Sequence, residues 1–268
     1  ESGFDDEFPQ AVEVEAQKLV RDFKNTLKSE ISKRKDLRKI TTLTIDPKTA
    51  KDFDDALSIE TLGNGNFSIG IHIADVSYYV RPNTKLDNMA KDRATSVYLV
   101  DRTIPMLPEG LSNNICSLNP DVERLAFSAI VEVDKSGNIK NRWYGRTIIK
   151  SDKRFSYRDA QSVLDKKDGP YVRELTILRD ISRKLRKERI KSGSILFDRE
   201  EVEIDIDKKG KPTNIHVKPR METQAVIEEW MLVANRCVAE SMSKAVKAKK
   251  LAGFAYRIHE RPDRSHVI

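Results

Sequence analysis

Three short turn signals, each set between runs of alternating β-branched and apolar residues, constrain this chain most. Gly63-Asn64-Gly65-Asn66 parts residues 55–61 from 66–74, and Asp134-Lys135-Ser136-Gly137-Asn138 parts 125–134 from 139–149. Lys208-Lys209-Gly210-Lys211 parts 194–206 from 212–218. Glycine and asparagine tolerate the positive φ of tight turns, and alternation at period two gives each strand one core face. Strands joined this way are antiparallel neighbours. Further strands are predicted over 40–46, ending at Asp46-Pro47, and over 252–259. Helical spacing of apolar residues is found over 84–100, 156–165, 171–191 and 221–249. Hairpins with helices between them predict an α+β fold, a largely antiparallel sheet with packed helices.

The first 39 residues read as a helical lead-in. Val12, Ala16, Leu19, Val20, Phe23 and Leu27 recur at helical spacing, and Pro9 suits a first turn. Residues 1–16 hold six acids and no base, while 17–39 hold nine bases against three acids. That order complements the helix dipole, so it is helix chemistry rather than a binding signal. Residues 40–268 then read as one domain, with no repeat or low-complexity linker to divide them. At 268 residues such a chain buries a core without staples. Its two cysteines, Cys116 and Cys237, form neither a disulfide framework nor a zinc spacing, which points to a reducing, cytoplasmic setting. No apolar run approaches the ~20 residues of a membrane span. Forty-nine Lys and Arg against 42 Asp and Glu leave a net charge of +7, a lean toward a polyanionic partner. The start at Glu1-Ser2-Gly3, without Met or a signal sequence, reads as a fragment of something longer.

The chemistry concentrates in Asp46-Pro47-Lys48-Thr49-Ala50-Lys51-Asp52-Phe53-Asp54-Asp55-Ala56. Here Asp46, Asp52, Asp54 and Asp55 directly follow a strand and straddle a Pro-started turn. Oxygen-only ligands suit hard cations such as Mg²⁺, and metal ions clamp the oxygens of a phosphodiester during hydrolysis. A calcium loop is disfavoured by the spacing and by the missing sixth-position glycine. Read from pattern alone, the same acids also fit a solvated, helix-capping loop. Phe53, flanked by acids, reads as a core anchor for the turn, and His72, inside a strand pattern, as a hydrogen-bonded core residue.

Thr44-Ile45-Asp46-Pro47 and Ala50-Lys51-Asp52-Phe53-Asp54-Asp55-Ala56 resemble the signature of the ribonuclease II / ribonuclease R catalytic (RNB) domain. The likeness continues through His72-Ile73-Ala74-Asp75-Val76-Ser77-Tyr78-Tyr79-Val80, Thr95-Ser96-Val97-Tyr98, Ile104-Pro105-Met106-Leu107-Pro108, Leu111-Ser112-Asn113 and Cys116-Ser117-Leu118-Asn119-Pro120. It resumes at Ile227-Glu228-Glu229-Trp230-Met231-Leu232-Val233-Ala234-Asn235 and Phe254-Ala255-Tyr256-Arg257-Ile258-His259. Within the family the pattern is most similar to bacterial ribonuclease R. The resemblance implies an RNB-type catalytic domain over residues 40–268. It implies a processive 3′→5′ exoribonuclease that uses Mg²⁺, with Mn²⁺ as a substitute, and hydrolyses single-stranded RNA to nucleoside 5′-monophosphates. By position, Asp46 and Asp55 match the principal metal ligands, Asp52 a supporting ligand, and Asp54 the carboxylate on which chemistry depends.

The resemblance also implies RNA contacts. Tyr98 and Phe197 match aromatic clamps, Tyr157 an aromatic near the terminal nucleotide, and Glu228 an acid near the 3′-terminal ribose. Adjacent helical residues diverge, so Glu229 is expected to be a solvated charge. The basic face of the 171–191 helix is likewise expected to be solvated. The family's arginine for the scissile phosphate lies beyond Ile268, so the domain reads as truncated at its C-terminal side. The expectation for the chain alone is little or no turnover. Two rivals stand beside this reading: an inactive RNA-binding or scaffold member of the same fold, and a metal-dependent DNA exonuclease or phosphatase. Nothing in the sequence points to a stable protein partner.

Overall fold

The computed structural model describes residues 7–194, 201–207 and 210–258. In chain order the first elements are α1 (Gln10–Glu30), β1 (Lys35–Asp36), β2 (Thr42–Asp46), β3 (Asp55–Thr61), β4 (Phe67–Ala74), α2 (Val76–Tyr79) and α3 (Lys85–Arg93). Next come β5 (Val97–Tyr98), β6 (Thr103–Ile104), β7 (Glu123–Val133), β8 (Ile139–Lys150), β9 (Lys153–Ser156), α4 (Tyr157–Lys166) and α5 (Val172–Lys191). The last are β10 (Glu201–Ile206), β11 (Pro212–Lys218) and α6 (Glu222–Lys247).

The turn signals do what their residues permit. Gly65 takes φ +81° between β3 and β4, and Gly137 takes φ +92° between β7 and β8. In the second turn the Asp134 carboxylate accepts the backbone N–H groups of Ser136 and Asn138. Together these hairpins form the centre of a seven-stranded sheet in the order β1-β8-β7-β4-β3-β2-β9. Its interior pairs are antiparallel, and its two edges, β1 with β8 and β9 with β2, are parallel.

One sheet face carries Leu43, Ile45, Leu57, Ile59, Ile69, Ile71, Val131 and Phe155 against α4, α5 and α6. Trp230 of α6 is fully buried there and donates its indole N–H to the Leu178 carbonyl of α5. On another side α1 packs Val12 and Ala16 against Leu86, Leu111, Ile115 and Leu125. The α+β architecture thus stands as expected.

Several local expectations need correction. The helix predicted over 84–100 stops at Arg93, because Ala94 takes a left-handed φ of 61° and the chain turns into the β5–β6 ribbon. Pro9 sits at the N-cap of α1 rather than in its first turn. The strand predicted over 252–259 is absent from its described part, since residues 253–258 form no regular element.

His72 is a core residue, as its strand setting suggested. Its Nδ1 meets Ser128 Oγ at 2.6 Å and its Nε2 meets Ser58 Oγ at 2.8 Å. Ser128 continues the chain to Thr147 at 2.6 Å. Complete burial pushes the imidazole pKa down to about 3. The unfolded chain binds that proton near pH 6.5 and the folded chain does not, so this stabilisation is full above pH 6.5 and lost as pH falls. Between pH 6 and 4 the protein is expected to lose about 1.4 kcal/mol per pH unit on this account. Urea unfolding of the parent and of His72→Gln across that range checks it. Comparing the two subtracts the carboxylates, and equal slopes would place the acid sensitivity elsewhere.

Candidate active site

Strand β2 leaves the sheet at Asp46, and the chain returns nine residues later at Asp55, the first residue of β3. Pro47 starts the turn, which closes with the Ala50 N–H on the Pro47 carbonyl at 3.1 Å. The loop is fastened at both ends and in the middle. Phe53 is buried, and its N–H donates to Ser117 Oγ at 2.9 Å. Ser117 in turn donates to the Lys51 carbonyl at 2.8 Å, and the Leu118 N–H donates to the Phe53 carbonyl at 2.9 Å. The Ala74 N–H holds the Asp54 carbonyl at 2.9 Å. Phe53 is therefore the anchor that its position among the acids suggested.

This fastening holds four carboxylates close enough to perturb one another. Asp46 is buried, and burial first, then the Asp55 charge, pushes its pKa up to about 7. The Thr44 hydroxyl and the Arg154 guanidinium pull it the other way. Burial and the Asp54 charge push Asp55 up to about 6. Asp54 is raised by the protein packed around it and by the Asp52 charge, although its side chain reaches solvent. Asp52 accepts a 2.9 Å hydrogen bond from the Tyr98 hydroxyl. The phenol pKa rises to about 12, through the protein packed around its hydroxyl and then that bond.

A divalent cation fits this donor set. Asp46 Oδ2 is buried without a hydrogen-bond partner, and a positive charge would relieve both that oxygen and the mutual repulsion of the acids. Among the described residues no three His, Cys, Asp or Glu side chains form a ready-made metal cage. Mg²⁺ does not require one, since it binds through one or two carboxylates and keeps waters and substrate phosphate as its other ligands.

Tyr98, on β5, is 66% exposed at the rim of the site. Tyr157 starts α4 directly after Ser156, the β9 residue paired with Asp46, and is half-buried against the main core. Glu228 is exposed on α6 and ion-paired with Arg220 at 2.8 Å. Phe197 lies outside the described residues. Glu229 is not a solvated charge: it is 3% exposed and ion-paired with Arg189 of α5. Arg183 of α5 likewise pairs with Glu222 of α6. Part of the basic face of α5 thus clamps the two helices together rather than standing in solvent. Arg154 and Ser117, which tie down the acidic loop, were not singled out by the sequence. Ser117 lies in the Cys116–Pro120 stretch of the family resemblance and Arg154 in none of its stretches, and only the fold reveals their contacts.

Residues 34–268 match the family model of the RNB domain. DIS3-like exonuclease 2 of Schizosaccharomyces pombe is 45% identical over 231 residues, which are 80% of this chain and 25% of that protein. The protein named inactive exonuclease DIS3L2 of Arabidopsis thaliana is 41% identical over 238 residues, 83% of this chain and 23% of that one. Among solved structures, RNase R of Mycoplasma genitalium in complex with ribose methylated single-stranded RNA superposes with a TM-score of 0.86. The two are 32% identical, and the match covers 98% of this chain and 40% of the other. The chain thus spans about a quarter of the length of these curated relatives.

Proposed function

The chain belongs to the RNB domain family, whose relatives include exoribonucleases, and from that premise we propose that it is the hydrolytic part of a 3′→5′ exoribonuclease. It removes nucleoside 5′-monophosphates processively from single-stranded RNA, and the reaction depends on Mg²⁺, which Mn²⁺ replaces. The observation that carries this reading is the buried, unpartnered Asp46 oxygen beside three further aspartates on a loop fastened at every turn. Asp46 and Asp55 are the principal ligands, Asp52 supports them, and Asp54 is the carboxylate on which hydrolysis depends. Once bound, the cation neutralises phosphate charge and lowers the pKa of the attacking water.

Around that centre the other residues each have a task. The Tyr98 ring stacks a base, a contact worth ~1–3 kcal/mol that tolerates any sequence, while its hydroxyl orients Asp52. Tyr157 and Phe197 serve nearer the terminal nucleotide. Glu228 exchanges Arg220 for ribose hydroxyls, and the 2′-OH is what separates RNA from DNA. Two cysteines, buried and unpaired, suit the reducing cytoplasm. Among the described residues no helix is long and apolar enough to cross a membrane.

A second reading, an inactive RNA-binding member, is favoured by the 41% identity to a relative named inactive. It leaves the four clustered aspartates without a purpose, since negative charge repels RNA phosphates. The test uses uniformly labelled single-stranded RNA and its DNA counterpart with the full-length protein carrying this chain. Release of mononucleotides from RNA with Mg²⁺, none with EDTA and little from DNA is expected. RNA binding without product would establish the inactive reading, and equal degradation of DNA would remove Glu228 from its role.

A further inference from the structure

The acidic loop has a cationic neighbour in the sheet, and it comes from the adjacent edge strand. Arg154 lies on β9, which pairs in parallel with β2 so that Thr44 faces Arg154 and Asp46 faces Ser156. Paired residues share a sheet face and alternate residues return to it, so Thr44, Asp46, Arg154 and Ser156 line one face. The opposite face carries Ile45 and Phe155 into the main core. Arg154 and Asp46 are therefore diagonal neighbours on the side away from that core.

From there the guanidinium reaches into the loop. Its Nη2 donates to the Pro47 carbonyl at 2.9 Å and to the Lys48 carbonyl at 2.7 Å. Its carbon lies 5.4 Å from the centroid of the Phe53 ring, a cation–π distance. One side chain thus ties the first turn of the loop to its central anchor. Its Nε is buried without a hydrogen-bond partner, as are Asp46 Oδ2 and Thr44 Oγ1 on the same face. The Thr44 hydroxyl lies beside the Asp46 carboxyl and favours its charged form without being aligned as a hydrogen bond. Buried polar atoms are normally paired, so three on one face leave donors and acceptors for whatever the site binds.

We propose that Arg154 is a positioning residue that holds the 47–54 loop in the geometry that receives the divalent cation. This rests on the metal-centre reading above. Simple electrostatics predicts the opposite influence, because a cation beside a cation site weakens binding. The two roles therefore differ in sign. Lysine keeps the charge but lacks the planar fork that meets two carbonyls while lying on a ring. Partners that orient metal ligands typically matter by about 10–100-fold in affinity.

The experiment titrates Mn²⁺ into the 268-residue chain, Arg154→Lys and Arg154→Met, following free Mn²⁺ by electron paramagnetic resonance. Hydrogen exchange of the Ala50 and Phe53 amides is measured alongside, without metal. Both variants are expected to bind Mn²⁺ about 10–100-fold more weakly and to exchange those two amides faster, while amides of β3 and β4 keep their protection. Parent-like affinity in Arg154→Lys, or tighter binding in Arg154→Met, would reduce Arg154 to a charge and overturn the proposal. So would unchanged exchange in the loop, whatever the metal does. If the parent binds no Mn²⁺, the metal-centre reading fails, and the exchange data still decide whether Arg154 holds the loop. Should Arg154→Met not fold, Arg154→Lys carries the comparison.

Discussion

Asp54→Asn is expected to leave RNA binding intact while hydrolysis falls by about 10²-fold or more, the scale of a several-kcal/mol loss of transition-state stabilisation. The fold gives no reason for collapse. The Asp54 carbonyl, held by the Ala74 N–H, stays where it is, and the side chain already reaches solvent. Removing its charge relieves Asp52 and Asp55, both of which repel it. Asparagine therefore keeps the shape and lowers the repulsion that RNA phosphates meet. A chemical defect and a folding defect are separable here. The measurements are single-turnover product release and the anisotropy of a labelled RNA, both with the full-length protein carrying this chain at saturating Mg²⁺. Parent-like turnover would take Asp54 out of the chemistry and return the loop to a merely acidic turn.

What the sequence discloses and what it hides divide along physical lines. Hairpins β3–β4 and β7–β8 were legible because their turns need residues that tolerate positive φ and their strands alternate over many positions. The four aspartates and Phe53 were legible as a group because they are local in the chain. The parallel edges were not. Strand β1 has two residues and β9 has four, too few for any period to emerge, and both exist only because a longer strand lies beside them. The end of α3 at Ala94 was hidden for a related reason, since alanine at a left-handed C-cap carries no propensity signal. Glu229 misled the reading because its partner, Arg189, is forty residues away on another helix. A residue's neighbours in sequence predict its propensity, and its burial is decided by elements far along the chain. Arg154 illustrates the same limit within the site: its contacts are to main-chain carbonyls, which leave no mark on side-chain pattern.

Arg34→Met is expected to cost about 3–5 kcal/mol of folding stability, the penalty for leaving buried carboxylates without their cation. The Arg34 side chain is fully buried where the end of α1 meets the sheet. Its Nε meets Glu30 at 3.0 Å and its Nη1 meets Asp75 Oδ2 at 2.8 Å, the latter a close ion pair without hydrogen-bond alignment. Nη1 also reaches the carbonyls of Ala126 at 3.3 Å and Thr147 at 3.4 Å, on neighbouring strands β7 and β8. The Tyr78 ring lies 5.1 Å from the guanidinium carbon. Once Arg34 is removed, Lys33 can still attend Glu30, whereas Asp75 keeps the Ser77 hydroxyl at 3.2 Å and, as its cation among the described residues, the more distant Arg146 at 3.9 Å. Asp75 therefore carries most of the penalty. Pairing Arg34→Met with Asp75→Asn is accordingly expected to recover a substantial share, which Arg34→Met with Lys33→Met cannot do. For a fold with about 5–15 kcal/mol of total stability, the single change removes a large fraction. The damage also has a route to the acidic loop, because Asp75 follows Ala74, whose N–H holds the Asp54 carbonyl. Urea unfolding of the single and double variants measures the coupling. A loss below about 1 kcal/mol for Arg34→Met would mean that water reaches Asp75, and the lead-in helix would then be joined to the sheet by its apolar stripe alone.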